Sequence, residues 1–202
     1  MNQKTRIISQ ILFLLLLIPL LAHAAMVEPK TKREYPEEVK VGQDDAAYTL
    51  KGTGVALREK TFMKVDVYVI ASYISAKAEI QDNKAQQVKD LDVNKRLVMD
   101  LTRGFSAEKL KKAFSEVIEK NYQDMSMFKA DMDTFLAYFT KDAEEGDNLV
   151  FDYQPQIGLT TTVNGEVKGV INNFEFVKAL WTVWFGDKPA SKGMREDLVT
   201  YL

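Results

Sequence analysis

The fold is decided at residues 48–74, which read YTLKGTGVALREKTFMKVDVYVIASYI. The stretch is rich in β-branched and aromatic residues, and valines alternate with other residues along 65–69, which is typical of β-strands. If two strands form a hairpin that turns about Met63, Arg58 lies directly opposite Tyr68. Cross-strand partners of this kind have Cβ atoms about 5 Å apart. The sequence therefore predicts an Arg58–Tyr68 pair on one face of a sheet.

A guanidinium and a phenol this close together are able to hold an anion. If the pair faces inward under helices, Arg58 supplies a bidentate, charge-assisted contact to a carboxylate, and Tyr68 supplies a further donor. A carboxylate with an apolar tail fits such a site. The alternative is a surface arginine beside a half-buried tyrosine, and the spacing alone leaves both interpretations open.

Downstream of this hairpin the sequence predicts short strands and amphipathic helices. Asn164-Gly165 is a strong signal for a second hairpin, and Gly186 ends an apolar helix. No glycine-rich phosphate loop or βαβ alternation is found in the sequence, so a nucleotide-binding fold is not expected. The pattern predicts an α+β fold with a large antiparallel β-sheet covered on one face by α-helices. The predicted elements after the hairpin are a helix at 83–91, a strand at 96–102, helices from Ser106 and over 125–139, strands at 149–153, 160–163 and 167–171, and helices at 174–185 and 192–202.

Two of these helices have apolar faces. Ser106 is a good N-cap for the first, whose i, i+3, i+4 spacing predicts a single buried face. The members of that face are Leu110, Ala113, Phe114, Val117 and Ile118. A stripe of methionine and phenylalanine over 125–139 is interpreted as core, with the wall of a cavity for an apolar ligand as the alternative.

The N-terminus has the pattern of a signal peptide. Lys4 and Arg6 precede an apolar run at 11–21, which is shorter than the roughly 20 residues that a membrane-spanning helix needs. The run ends in Ala-His-Ala at 22–24, so cleavage is expected after Ala24. The alternative is an uncleaved N-terminal anchor. We expect an exported protein, periplasmic or secreted, with no stable membrane anchor after cleavage.

These patterns divide the chain into three parts. Residues 1–24 are the expected signal peptide, residues 25–46 are a polar leader with little core of its own, and residues 47–202 form the folded domain.

The composition excludes several kinds of chemistry. The chain has no cysteine, and its single histidine, His23, lies in the segment expected to be removed. Serine–histidine or cysteine–histidine catalysis, disulfides, and zinc or haem held by histidine are therefore excluded from the mature chain. The acidic residues show no metal-loop spacing, and a formal net charge of −2 gives no reason to expect a nucleic acid partner. No metal site, cofactor or catalytic set is predicted.

The ordered motifs resemble those of the chalcone isomerase-like superfamily, in particular its bacterial exported members. The resemblance covers roughly Ala47 to Leu202. The motifs that carry it are Gly52-x-Gly54, Arg58-x-Lys60, Lys64-Val-Asp-Val-Tyr68, Tyr73, Gly158-Leu159, Asn164-Gly165, Gly169-Val-Ile171 and Trp184-Phe185-Gly186-Asp187-x-Pro189.

The resemblance implies an open-faced sandwich with a ligand cleft between sheet and helices. Plant members close a chalcone to a flavanone, whereas others bind fatty acids without that reaction. Arg58 matches the arginine that both kinds place in the cleft, and Tyr68 falls where the fatty-acid binders have a carboxylate-holding tyrosine. The enzymes also use a tyrosine and an asparagine, and Ser106 and Ala113 stand at those places here. The enzymatic set is therefore mostly missing.

The resulting expectation is a binding protein for a fatty acid or a similar apolar carboxylate, rather than an enzyme, with Arg58 and Tyr68 as its ligand-binding residues. One alternative is a chalcone-type intramolecular lyase or isomerase. The other is a haem- or partner-binding protein of the envelope, in which a tyrosine or methionine would be the haem ligand.

Overall fold

The computed structural model describes residues 24–43, 47–60 and 65–202. Residues 1–23 of the expected signal peptide, and the predicted turn about Met63, lie outside the described residues. The strands are β1 (Ala25–Val27), β2 (Glu34–Pro36), β3 (Glu38–Val41), β4 (Tyr48–Lys60), β5 (Val65–Ser75), β6 (Lys95–Leu101), β7 (Asn148–Gln154), β8 (Gly158–Val163) and β9 (Glu166–Ile171). The helices are α1 (Lys84–Asp90), α2 (Ala107–Asn121), α3 (Lys129–Ala137), α4 (Phe174–Phe185) and α5 (Lys192–Asp197).

Strands β3 to β9 form one seven-stranded antiparallel sheet in which each strand pairs with its neighbours in sequence. The helices pack on one face of this sheet and share with it the larger of two apolar clusters. Alternation decides which side chains face the helices: in β6, Leu97, Met99 and Leu101 are all buried. The predicted α+β fold, an antiparallel sheet covered on one face by helices, is confirmed.

Helix α4 lies at the centre of the helical layer because it is apolar on almost every side. It extends from Phe174 to Phe185 as predicted, and the Asn173 side chain caps its first turn. The second hairpin also forms as predicted, with Asn164 and Gly165 both at positive φ in the turn between β8 and β9. The predicted methionine and phenylalanine stripe over 125–139 is core, since Phe128, Met132 and Phe135 are buried in the larger cluster. The helix itself is shorter than predicted, because α3 covers only Lys129–Ala137.

The two glycines of β4 let an N-terminal and a C-terminal segment pack closely against opposite faces of the sheet. A Cβ on Gly52 would lie 2.4 Å from the sulfur of Met26, and one on Gly54 would lie 2.2 Å from the backbone oxygen of Asp197. The strand register shifts between the two glycines, as in a β-bulge, so they face different sides although they are two residues apart. The Gly52-x-Gly54 motif therefore serves close packing on both sides.

The prediction of a polar leader at 25–46 is wrong for its described part. Residues 25–41 form β1, β2 and β3, and β3 is an edge strand of the main sheet. Met26 and Tyr35 are buried in a second apolar cluster, on the sheet face away from the helices. These strands are too short, and too rich in charge, for their alternation to stand out in the sequence.

The last predicted helix is also shorter than expected. Helix α5 ends at Asp197 instead of Leu202, although Met194 and Leu198 are buried as predicted. The chain leaves the helix because the Tyr201 N–H donates to the carbonyl of Thr53 on β4. No helix in the described part of the chain is long and apolar enough to cross a membrane.

Candidate functional site

The predicted pairing of Arg58 with Tyr68 is present in the structure. The two residues are direct partners across β4 and β5. The register shifts just beyond them, so that Glu59 pairs with Asp66, and the amine of Lys30 contacts both of these carboxylates at 2.5 Å. Lys30 therefore forms ion pairs with both neighbouring carboxylates, while Arg58 and Tyr68 line a cleft under the helices.

This cleft lies between the sheet and helices α2 and α4, and its volume is about 380 Å³. That volume lies within the usual range for small-molecule sites. Its walls are mainly apolar, with Arg58, Lys60, Glu116 and Lys120 as the charged side chains. The apolar walls include Met99, Phe105, Leu110, Ala113, Phe114, Val117, Val183 and Trp184.

Helix α2 uses part of its predicted buried face for the cleft instead of the core. Leu110, Phe114 and Ile118 are buried, but Ala113 is exposed and Val117 is only half-buried. Because both of these residues line the cleft, they are apolar without being covered by the protein itself. The prediction of one fully buried face is therefore wrong at these two positions.

Tyr68 is oriented by a tryptophan on α4. The indole Nε1–H of Trp184 donates to the Tyr68 hydroxyl oxygen at 3.0 Å. An indole nitrogen only donates, so the tyrosine oxygen accepts and its own O–H is left to donate elsewhere. Burial raises the pKa of Tyr68 to about 12, although Trp184 and the Arg58 charge act in the opposite direction. The phenol therefore stays a neutral donor at physiological pH.

Arg58 has few partners among the residues that the structure describes. Its Nη1 donates to the carbonyl of Glu59 at 2.9 Å, and it forms no ion pair with a described carboxylate. A guanidinium has several further N–H donors in a planar fork that matches a carboxylate. Half-buried at the edge of an apolar cleft, these donors are placed to receive an anionic group.

Two sites suggested by the enzymatic pattern carry no donor into this cleft. The Ser106 oxygen accepts from the Lys109 N–H at 3.4 Å and caps α2, while Ala113 offers only a methyl group to the cleft. Within the described ranges no group of acidic, histidine or cysteine side chains is arranged to hold a metal ion.

Sequence reasoning missed the role of Trp184. It lies in a helix that is apolar on nearly all sides, and its placement in the core was the natural interpretation. The available signal was the indole N–H itself, because a buried tryptophan usually has a hydrogen-bond partner. Trp184 is 1% exposed, and Tyr68 is that partner.

Known proteins resemble this chain in sequence pattern and in fold. The family model described as chalcone isomerase-like matches residues 30–200. No curated protein matches the sequence. Among solved structures, a fatty-acid binding protein of Arabidopsis thaliana is similar with a TM-score of 0.67 and 17% sequence identity, over 87% of this chain and 96% of that chain. At this identity the likeness shows a shared fold.

Proposed function

The chain belongs to the chalcone isomerase-like family, and we propose that it is a non-catalytic member that binds a fatty acid or a similar apolar carboxylate. The observation that carries this proposal is the Arg58–Tyr68 pair at the polar side of an apolar cleft. The similar solved structure is that of a fatty-acid binding protein, which supports the same ligand class.

Binding would use the two ends of the ligand differently. The carboxylate accepts from the free guanidinium donors of Arg58 and from the hydroxyl of Tyr68, whose orientation Trp184 fixes. The chain lies against the apolar walls formed by Phe114 and Val117. Each methylene removed from water there contributes about 0.8 kcal/mol.

The donor inventory of the cleft favours binding over chemistry. Closing a chalcone to a flavanone needs groups that stabilise a developing charge, and electrostatic stabilisation of this kind is usually the largest catalytic contribution. The methyl group of Ala113 offers none, and Ser106 is not one of the residues that line the cleft.

We also propose that the protein is exported and acts in the periplasm or outside the cell. The charged start, short apolar run and Ala-His-Ala ending of residues 4–24 support this. Mass spectrometry of the protein from its own cells tests it. A mature chain that begins at Ala25 in the envelope fraction is expected, and an intact chain in the cytoplasm would contradict the proposal.

The binding proposal is tested on mature protein purified from its own envelope. Native mass spectrometry and denaturing extraction are expected to find a fatty acid or similar carboxylate. The Arg58→Ala variant should lose it, because an anion in the cleft then lacks its main counter-charge. Arg33→Ala is the matched control, since Arg33 contacts Asp100 away from the cleft.

Two outcomes would contradict the proposal. Equal binding of a fatty-acid probe by wild type and Arg58→Ala would show that the site is wrong. Conversion of a chalcone to a flavanone by the wild type, lost in Arg58→Ala, would make the protein an enzyme.

A further inference from the structure

A second depression adjoins the ligand cleft at the end of the sheet where β4 ends and β5 begins. It has a volume of about 440 Å³, and we call it the vestibule. The vestibule is lined by Lys60, Val67, Arg103, Gly104, Phe105, Ser106, Lys109, Asp142 and Ala143. Lys60, Val67 and Phe105 also line the cleft, so the two spaces meet at these residues.

The vestibule concentrates positive charge. Among the described residues that line it, Lys60, Arg103 and Lys109 are basic and Asp142 is acidic. The Asp142 carboxylate accepts the Ala107 N–H at 3.0 Å. The three cations are exposed, and none forms an ion pair with a residue that the structure describes, whereas seven other lysines do. Those paired lysines are Lys30, Lys89, Lys111, Lys112, Lys129, Lys168 and Lys178.

This concentration does not follow from the overall composition, since the chain has a formal net charge of −2. Arg103 lies over the ring of Phe105, with its guanidinium carbon 5.7 Å from the ring centre. This cation–π contact keeps the Arg103 guanidinium at the boundary between the vestibule and the cleft, where Phe105 lines both. The charge is therefore built into the entrance of the cleft.

We propose that the vestibule is a phosphate-binding subsite, so that the site also takes an acyl amphiphile with a phosphate monoester headgroup and binds it in preference to a free fatty acid. This rests on the proposed function, because the acyl chain still occupies the cleft. Arg58 and Tyr68 already suffice for one carboxylate or ester carbonyl. The additional cations match a group with more charge, and a phosphate monoester carries about −1.5 to −2 at pH 7 with three acceptor oxygens.

The position of Lys60 connects the two parts of the site. Arg58 lines only the cleft, Arg103 and Lys109 line only the vestibule, and Lys60 lines both. A single ligand can therefore extend from the apolar walls past Arg58 and Tyr68, and bring its headgroup to the three cations. In this arrangement the carbonyl near Arg58 sets the depth of the chain, and the vestibule selects the headgroup.

The test compares three probes on the mature protein by calorimetry at low ionic strength: oleate, 1-oleoyl lysophosphatidate and inorganic phosphate. We expect the wild type to bind the lysophosphatidate about tenfold more tightly than oleate, because several exposed charge pairs, each weak by itself, act together on the headgroup. The vestibule variant combines Arg103→Gln and Lys109→Gln, at residues that line the vestibule and not the cleft. It should lose most of this advantage while its affinity for oleate stays unchanged.

The matched control combines Lys40→Gln and Lys77→Gln. It changes the net charge equally, at exposed lysines that line neither space. This control should retain the full preference for the phosphate headgroup. If it loses the preference as well, net charge and not the vestibule is responsible, and the subsite is wrong.

The outcomes separate this inference from the function on which it rests. Oleate binding that depends on Arg58, without any preference for the lysophosphatidate, overturns the subsite and leaves the binding function standing. Inorganic phosphate that binds as tightly as the lipid, with lipid binding independent of Arg58, indicates a free-phosphate site and overturns the amphiphile. Failure of both lipids to bind contradicts both proposals.

Discussion

Lys95 and Arg58 are two cations on the helical face of the same sheet, and their surroundings differ sharply. Lys95 is fully buried at the start of β6. Its amine donates to the carbonyls of Val88, Lys89 and Leu91 at 3.3, 2.7 and 3.1 Å, which closes the C-terminal end of α1. Three aromatic rings lie within 5.7 Å of the same nitrogen. The Lys95 amine therefore has hydrogen-bond acceptors and aromatic rings on several sides within the protein.

The described residues give Arg58 no such enclosure. It is half-buried, donates to one described carbonyl and faces an apolar cleft. A cation that the fold satisfies is part of the structure, whereas a cation that the fold leaves with free donors beside a cavity is available to a ligand. Substitutions at the two positions should therefore separate stability from binding.

The largest effect is expected for Lys95→Ala. The substitution leaves helix carbonyls without a donor and opens a cavity among the aromatic rings, so the free energy of unfolding should fall by about 3–5 kcal/mol. Chemical denaturation measures this, with Lys77→Ala as an exposed control expected to change stability by less than about 0.5 kcal/mol. A Lys95→Ala protein as stable as the control would refute the structural role.

The next effect is on the pH dependence of stability. Burial lowers the pKa of Lys95 to about 7, although the carboxylates of Asp90 and Asp92 oppose this. Between pH 7 and about 10 the unfolded chain therefore carries a proton that the folded chain lacks, and the free energy of unfolding rises with pH. The rise due to this group between pH 7 and 9 should be about 2 kcal/mol.

Lys95→Met removes the titrating amine and provides the control for that measurement. Denaturation curves at several pH values are compared for the two proteins. The difference in their unfolding free energies should grow in favour of the wild type as the pH rises. A difference that is constant across the range would show that the Lys95 amine does not change its protonation on folding.

The sequence was informative where local rules decide the structure. Strand alternation and a single turn were enough to pair Arg58 with Tyr68. Helix α4 was predicted from end to end, because an apolar run lies between a capping asparagine and Gly186. The Arg58–Tyr68 pairing and the sheet under helices are both consequences of such short-range patterns.

The remaining features depend on distances between elements. Lys95 shares its strand face with the buried Leu97, but a lysine at the start of a strand normally marks a solvent boundary. Ala113 and Val117 have the same helical spacing as buried residues, and only the separation of α2 from the sheet leaves them beside a cleft. Charge at the cleft entrance likewise arises from two segments that are distant in sequence, the end of β4 and the start of α2 with the loop before it.

The comparison of Lys95 with Arg58 is sharpened by the Arg58→Lys variant, which keeps the positive charge and removes the planar guanidinium. Affinity for a fatty-acid probe should fall by about tenfold, since a lysine holds a carboxylate through one point charge. Stability should be unchanged within about 0.5 kcal/mol, because few protein groups depend on Arg58. Fluorescent-probe displacement and denaturation measure the two quantities. Full affinity in Arg58→Lys would mean that charge alone, without the paired geometry, accounts for binding.

The smallest effect is expected for Tyr68→Phe, which removes one neutral hydrogen bond and should weaken binding by about 1 kcal/mol. The size of this loss in binding free energy depends on Trp184, because the indole directs the tyrosine hydroxyl hydrogen toward the cleft. Trp184→Phe alone should therefore weaken binding in part, at some cost in stability. In the Tyr68→Phe background the same change should have less effect on affinity, and the double-mutant cycle gives the coupling directly. Additive losses in affinity would show that Trp184 acts only as a wall of the cleft, and that the orientation of Tyr68 is set by its position on β5.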